Sequence, residues 1–144
     1  MNCTVTTETG GLDDGPECVI RMPLGLLGFE QCKSFTLYAK PVEEPFLWLQ
    51  AVGKAKLAFL VMSPYVVLPS YRPEIGEEDA QFLGLQGPEE GLIFNIVTVR
   101  GPEQATVNLK GPIVLNRRTL VAKQVIPLNA PEYSVAHPLP IQGN

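Results

Sequence analysis

The sequence contains few of the residues that build metal sites and catalytic centres. It has three cysteines and one histidine among 144 residues. Cys3, Cys18 and Cys32 are well separated and include no C-x-x-C pair, so the spacing indicates neither a zinc site nor a disulfide framework, and reduced thiols are expected. His137 lies beside Pro138 near the C-terminus, where no catalytic base is well placed. The sequence therefore predicts a protein that is not an enzyme and that uses no metal and no cofactor.

Charge is also scarce. Asp, Glu, Lys and Arg make up 18% of the residues, and the formal net charge is −4. The basic residues are scattered, with only Arg117 and Arg118 adjacent, whereas nucleic-acid binders usually present clustered Lys and Arg. No apolar run approaches the roughly 20 residues that span a bilayer, and the first twenty residues lack a secretion signal. We expect a cytoplasmic protein that binds neither a membrane nor nucleic acid directly.

Proline and glycine are abundant instead. Fourteen prolines and thirteen glycines divide the chain into short segments, which is typical of all-β proteins. One short helix is predicted at Glu77 to Leu83, because acidic residues open it and Gly84 offers a stop. The chain after Pro127 is expected to run extended over the surface. The predicted strands are Cys3–Thr7, Cys18–Met22, Ser34–Ala39, Phe46–Ala51, Leu57–Met62, Leu92–Val99, Ala105–Lys110, Pro112–Asn116 and Leu120–Ile126.

These elements predict an all-β fold, a small antiparallel β-barrel-like domain with one short helix. A chain of 144 residues has the usual size of one domain, so we expect a single domain over residues 1–144 with its core at about 18–139.

The stretch from Thr106 to Asn116 combines two strand-like runs with a Gly-Pro breaker. Its apolar residues alternate, which predicts one buried face made of Val107, Leu109, Ile113 and Leu115. The same alternation places Asn108, Lys110 and Asn116 on or near the opposite face. Pro112 has no amide hydrogen and is expected at a strand start or on an open sheet edge that a partner chain could use. The stretch thus favours recognition over catalysis.

The loop from Pro69 to Ile75 is too rich in proline for regular strand pairing. It holds Tyr71, Arg72 and Glu74 on a stiff backbone that would lose little entropy on binding. A binding role and a purely structural role remain open for this loop.

Three separated blocks together resemble the family of the flagellar assembly factor FliW. They are Gly25-Leu-Leu-Gly-Phe-Glu30, then Pro45-Phe-Leu-Trp-Leu-Gln50 with Leu57-Ala-Phe-Leu-Val61, then Thr106 to Asn116 with Lys123-Gln-Val-Ile126 and Tyr133. Two positions depart from the family pattern: Gly111 stands where relatives usually carry Ala, and Ala136 stands where many carry Arg.

The resemblance implies a β-barrel-like protein that binds cytoplasmic flagellin. When free, it would bind the RNA-binding regulator CsrA and relieve its repression of translation by an allosteric effect. The residues and the resemblance together select seven candidate partner-binding positions, although alternation alone slightly favours a core role for the isoleucine among them. They are Tyr71, Glu74, Asn108, Lys110, Pro112, Ile113 and Asn116.

Two other functions remain as alternatives. A nucleic-acid-binding β-barrel is disfavoured by the acidic charge. A small Cys-dependent hydrolase, using Cys32 with His137, is disfavoured because Cys32 lies in no known catalytic signature.

Overall fold

The computed structural model describes residues 17–140 except residues 55 and 103, so the predicted strand at 3–7 lies outside the described residues. Within that part, the chain forms nine strands and the one α-helix predicted, which confirms an all-β fold with a short helix. The elements are β1 (Glu17–Arg21), β2 (Ser34–Ala39), β3 (Leu47–Ala51), β4 (Ala58–Met62), α1 (Glu77–Leu83), β5 (Gly91–Gly101), β6 (Gln104–Val107), β7 (Ile113–Asn116), β8 (Ala122–Gln124) and β9 (His137–Pro140).

All strand pairs in this sheet are antiparallel. The strands follow the order β1-β2-β3-β4-β5-β6-β9, while β7 pairs with β5 and with β8. The sheet curls into a half-barrel. Arg21 at the end of β1 donates its N–H to the carbonyl of Leu120 at 2.9 Å and forms a parallel bridge with Val121. The end of β1 therefore contacts the segment just before β8, which joins the two ends of the curled sheet.

The largest core fills the inside of the curl. Alternating side chains of each strand point inward, as in β2, where Phe35 and Leu37 are buried while Thr36 and Tyr38 are partly exposed. The buried members are Ile20, Met22, Leu26, Cys32, Phe35, Leu37, Leu49, Ala51, Val61, Phe94, Ile113, Leu115 and Ala122.

Two smaller cores extend the first. One lies between the far half of the sheet and the loop after β4, and it contains Tyr71. The other seats the helix, because Leu83 packs on Val114 and Val125. Gly84 ends the helix in the left-handed conformation with φ of 68°, as the stop signal in the sequence predicts.

A lateral contact fixes the helix to β8. Lys123 forms an ion pair with Asp79, and its ammonium group lies 5.3 Å from the ring centre of Phe82. The ammonium group of Lys123 thus contacts a residue in the first turn of α1 and a residue in its last turn.

Three expectations need correction. The chain after Pro127 is not merely extended, because it forms strand β9 at the sheet edge. Pro112 immediately precedes β7, which confirms the strand start among its two predicted placements, but it does not border an open edge, because β7 is paired on both sides. Cys18 is disulfide-bonded, so the expected reduced thiol is wrong there, whereas Cys32 is free and buried. Each outcome depends on contacts distant in sequence, which local spacing does not encode.

Among the described residues, β9 is the last strand on this side of the sheet, and it carries alternating prolines. Neighbouring residues of a strand direct their N–H groups to opposite sides, and a proline has none. Since Pro138 and Pro140 cannot donate to β6, the donors of this ladder are His137 and Leu139. The outer side of β9 therefore offers carbonyl groups and no N–H.

The turn after β1 gives a test of backbone geometry. Gly25 and Gly28 both have positive φ, 68° and 90°. A Cβ at Gly25 would lie 2.6 Å from the Cα of Glu30, whereas a Cβ at Gly28 would meet nothing within 4 Å. Gly25→Ala should therefore lower the free energy of unfolding by more than about 2 kcal/mol, and Gly28→Ala by only about 1 kcal/mol. Urea unfolding of the two variants measures both values, and equal losses would contradict the packing at Gly25.

Candidate functional site

The four apolar residues predicted to share one buried face are all buried, but they divide between two cores: Val107 and Leu109 lie in the core that contains Tyr71, and Ile113 and Leu115 lie in the core inside the curl. Val107, Ile113 and Leu115 are fully buried, and Leu109 is 1% exposed. Ile113 faces Phe94 across the β5–β7 ladder and Gln124 across the β7–β8 ladder. Ile113 is therefore a core residue, as the alternation of apolar residues slightly favoured.

Asn116 differs from the sequence expectation, because it is fully buried and not on an outer face. Its Nδ2 donates to the carbonyl of Leu83 at 2.7 Å, which satisfies a group left open at the end of α1. Its Oδ1 accepts the N–H groups of Arg118 at 2.8 Å and of Thr119 at 3.2 Å. Alternation missed this role because β7 is covered on both faces.

The five residues between β6 and β7 form a compact corner. The Oδ1 atom of Asn108 accepts the N–H of Lys110 at 2.9 Å, and the carbonyl of Asn108 accepts Nδ2 of Asn95 at 2.8 Å. Gly111 is packed closely, since a Cβ there would lie 3.1 Å from Nε2 of Gln124. The glycine that departs from the family pattern thus makes room for Gln124, which donates to the carbonyl of Gly111 at 3.1 Å. Both Asn108 and Lys110 are partly exposed.

The corner carries a cluster of tyrosines. Tyr71 is 3% exposed and donates its hydroxyl to the carbonyl of Leu109 at 2.7 Å. Its ring meets Tyr133 edge to face, with ring centres 4.7 Å apart, and Tyr65 at 6.1 Å. Burial raises the pKa of Tyr71 to about 12, while the side chain of Asn95 partly opposes that rise. Tyr71 therefore joins the Pro-rich loop to the β6–β7 corner as a neutral phenol.

The raised pKa of Tyr71 predicts how stability changes in alkali. Its ordinary value is 10.0, so the unfolded chain loses this proton first, and the stabilisation from the neutral phenol is present below pH 10.0 and is lost as pH rises toward about 12. In Tyr71→Phe, the part of the alkaline loss of stability that is due to Tyr71 should be absent. Below pH 10.0, the free energy of unfolding of this variant should be lower by about 1 kcal/mol, because the hydrogen bond of the hydroxyl is lost. Urea unfolding across the alkaline range, with tyrosinate absorbance as a second readout, measures it. An unchanged alkaline slope in the variant would contradict this assignment.

Glu74 projects from the same loop, but its surroundings differ. Its side chain is exposed, while its backbone is fixed on both sides. The N–H of Glu74 donates to Oδ1 of Asn129 at 2.8 Å, and its carbonyl accepts the N–H of Leu128 at 2.8 Å. The carboxylate thus stands on a rigid base.

An open cleft of about 890 Å³ lies between this loop and the start of β5. The sequence did not indicate it, because its walls come from segments that are far apart along the chain. Aromatic and aliphatic groups make up most of its lining, and the charged residues among the described part of that lining are Arg72 and Arg117. Its principal walls are Tyr65 in the short 3-10 helix after β4, Tyr71, Pro73 and Ile75 on the loop, and Leu92, Ile93 and Val114 on β5 and β7.

Of the seven predicted positions, the structure brings most into one region. Tyr71 contacts the corner that holds Asn108 and Lys110. Tyr71 also lines the cleft, whereas Glu74 stands two residues beyond Arg72 on the loop. Pro112, Ile113 and Asn116 are buried and are not available for direct contact with a partner.

The residues of the alternative hydrolase do not form a pair. Cys32 is packed in the largest core, and His137 lies in β9 opposite Val107. No hydrogen bond joins them within the described chain. In the same residues, no group of His, Cys, Asp and Glu side chains is arranged to hold a metal ion, and no helix is long and apolar enough to cross a membrane.

Comparison with known proteins identifies the family. The family model described as FliW protein matches residues 4–139, nearly the whole chain. This chain belongs to the FliW family. The flagellar assembly factor FliW of Leptospira biflexa is 36% identical over 129 residues, which covers 88% of this chain and 84% of that protein. The FliW of Leptospira interrogans serovar Copenhageni is 40% identical over 126 residues, covering 86% of this chain and 84% of that protein.

A solved structure of the family shows the same fold. The crystal structure of the flagellar assembly factor FliW superposes with a TM-score of 0.75 at 30% identity, over 83% of this chain and 84% of that one. The FliW resemblance and the predicted all-β fold, a small antiparallel β-barrel-like domain with one short helix, are therefore both confirmed.

Proposed function

We propose that this chain binds flagellin in the cytoplasm and, when free, binds and antagonises a CsrA-type translational regulator. Membership of the FliW family supports a role in flagellar assembly. Export of flagellin would release this protein, and mass action would then favour its complex with the regulator. In this proposal the chain is not an enzyme, and the regulator alone contacts messenger RNA.

The observation that carries the proposal is a group of exposed acidic side chains, here called the acidic ridge, where the Pro-rich loop meets α1. The ridge consists of Glu74, Glu77 and Glu78, whose side chains are all exposed at the end of the loop and the start of α1. Asp79, next along the helix, is already paired with Lys123 and is not part of the ridge. An RNA-binding regulator presents basic residues, so the ridge is complementary to it in charge.

The rigid backbone at Glu74 increases the binding free energy that a contact through its carboxylate can contribute. A carboxylate on a mobile loop would lose backbone freedom when a partner binds. Here the hydrogen bonds to Asn129 and Leu128 hold the backbone already. Among the seven candidate positions, we therefore assign direct contact to Glu74 and to the partly exposed Lys110, and a supporting role to the others.

Antagonism of the regulator requires a coupling between two sites. If this protein lowers the affinity of the regulator for RNA, RNA must lower the affinity of the regulator for this protein by the same factor. The coupling can be measured by titrating the regulator with and without saturating RNA, since it does not depend on which contacts transmit it.

Charge reversal on the ridge tests the regulator contact. Glu74→Lys should weaken binding to a CsrA-type regulator at least about tenfold, because like charges then face each other, while the melting temperature stays nearly constant. Isothermal titration calorimetry on purified proteins measures the loss.

Glu44→Lys is the matched control, since Glu44 is also exposed but lies in the connection between β2 and β3. It makes the same charge change and should bind as the parent does. If both variants bind the regulator equally weakly, the loss is due to the change in net charge and not to a contact at Glu74. If Glu74→Lys binds as well as the parent, Glu74 does not contact the regulator. Failure of the parent to bind flagellin and the regulator at tens of micromolar would remove the proposed function.

A further inference from the structure

The first residues of β5 have a strand partner on one side only. On the side of β4, the paired residues of β5 are Asn95, Ile96 and Val97, opposite Met62, Val61 and Leu60. On the other side, Gly91 to Phe94 pair with β7. The segment Gly91–Ile93 is therefore a sheet edge within the described chain, and the same three residues line the cleft.

The hydrogen bonds of β7 show which groups point to that edge. The N–H and carbonyl of Asn116 bond to Val121 and Leu120, and the carbonyl of Pro112 accepts from Val125, so these residues face β8. By alternation, Ile113 and Leu115 face β5, where they meet Phe94 and Leu92. Gly91 and Ile93 must then direct their N–H and carbonyl groups away from β7, into the cleft.

Proline explains why β4 does not continue along this edge. Continuing the register places Pro64 opposite Ile93. Pro64 has no N–H, and its carbonyl already accepts the N–H groups of Val67 at 3.1 Å and Leu68 at 2.9 Å. The chain turns away in a short 3-10 helix, and Gly91 and Ile93 form no other hydrogen bond within the described residues.

Charge on the cleft is opposite to that of the chain as a whole. The net charge is −4, yet the charged lining consists of Arg72 and Arg117. Both side chains are exposed, and neither forms an ion pair with a described residue. An occupant with carboxylates would supply the missing partners.

We propose that the cleft binds an extended segment of a partner protein, which adds as a short strand to Gly91–Ile93. Its backbone would pair with the free groups of Gly91 and Ile93, its apolar side chains would fill the cleft, and its acidic side chains would meet Arg72 and Arg117. The inference rests on the proposal that this chain binds proteins, and it specifies the conformation and charge of the bound segment.

Synthetic hexapeptides test the inference without a known partner. A capped peptide of alternating Glu and Val should bind with a dissociation constant below about 1 mM, and the Lys-Val peptide at least about tenfold more weakly. Nuclear magnetic resonance of the labelled protein should place the shifts at Gly91, Leu92 and Ile93. Exchange of the Ile93 amide should slow at least about fivefold at saturation, since its N–H becomes bonded.

Two controls separate strand addition from other modes of binding. A Glu-Val peptide N-methylated at every residue keeps its side chains but loses its backbone donors on both edges, and it should bind at least about tenfold more weakly. Decanoate offers an apolar chain with one carboxylate and should not slow the Ile93 amide. Equal binding of the methylated peptide, or equal protection by decanoate, would overturn strand addition.

Variants of the protein complete the test. Arg117→Glu and Arg72→Glu should each weaken the Glu-Val peptide about five- to tenfold, while Arg100→Glu, exposed on β5 away from the cleft, should change it less than about twofold. No binding by the parent, or equal effects of all three variants, would refute the inference. Parent protein that binds flagellin or the regulator but no peptide would leave the proposed function intact and remove only this inference.

Discussion

Strand β5 determines how the other parts of the fold meet. It is eleven residues long and pairs with β7 along its first part, with β4 in the middle and with β6 along its last part. Phe94 belongs to the core inside the curl, and Val97 belongs to the core beneath Tyr71. A shift of β5 by one residue would turn both side chains out of their cores. The register of this one strand therefore holds the two main cores together.

The corner between β6 and β7 preserves that register. Both strands lie on the same side of β5, and five residues separate them in sequence. Asn108 bonds to Ile96 through its N–H and to Asn95 through its carbonyl, so the corner is tied to β5 at its centre. Tyr71 then fastens the Pro-rich loop to the same corner, which positions one wall of the cleft.

Local patterns predicted most of the regular structure. Helix α1 occupies the predicted residues because its signals are local: acidic side chains at the start and a left-handed Gly84 at the end. Strand β9 was not predicted because His137–Pro140 contains two prolines. Prolines argue against a strand in the middle of a sheet, although an edge strand tolerates them. Recognition of the family came from three ordered blocks and did not require any strand boundary to be correct.

The candidate site was harder to predict for a physical reason. Alternation identifies which face of a strand is apolar, but it does not reveal that Asn116 can be buried when three backbone groups satisfy its amide. The cleft joins loop residues such as Ile75 to strand residues such as Ile93, and no periodicity links positions so far apart. Among the residues that line the cleft, those of the Pro-rich loop, such as Tyr71 and Arg72, gave a sequence signal.

The alternating prolines of β9 have a consequence for the behaviour of the protein at high concentration. Two copies that met along their outer strands would find acceptors facing acceptors, with no donor from Pro138 or Pro140 to begin a ladder. Symmetric pairing of two copies through β9 is therefore disfavoured by the covalent structure itself. The unpaired edge at Gly91–Ile93 differs from β9 because it lines a cleft. A single extended chain is narrow enough to enter a cleft, whereas the sheet edge of a second folded copy is not.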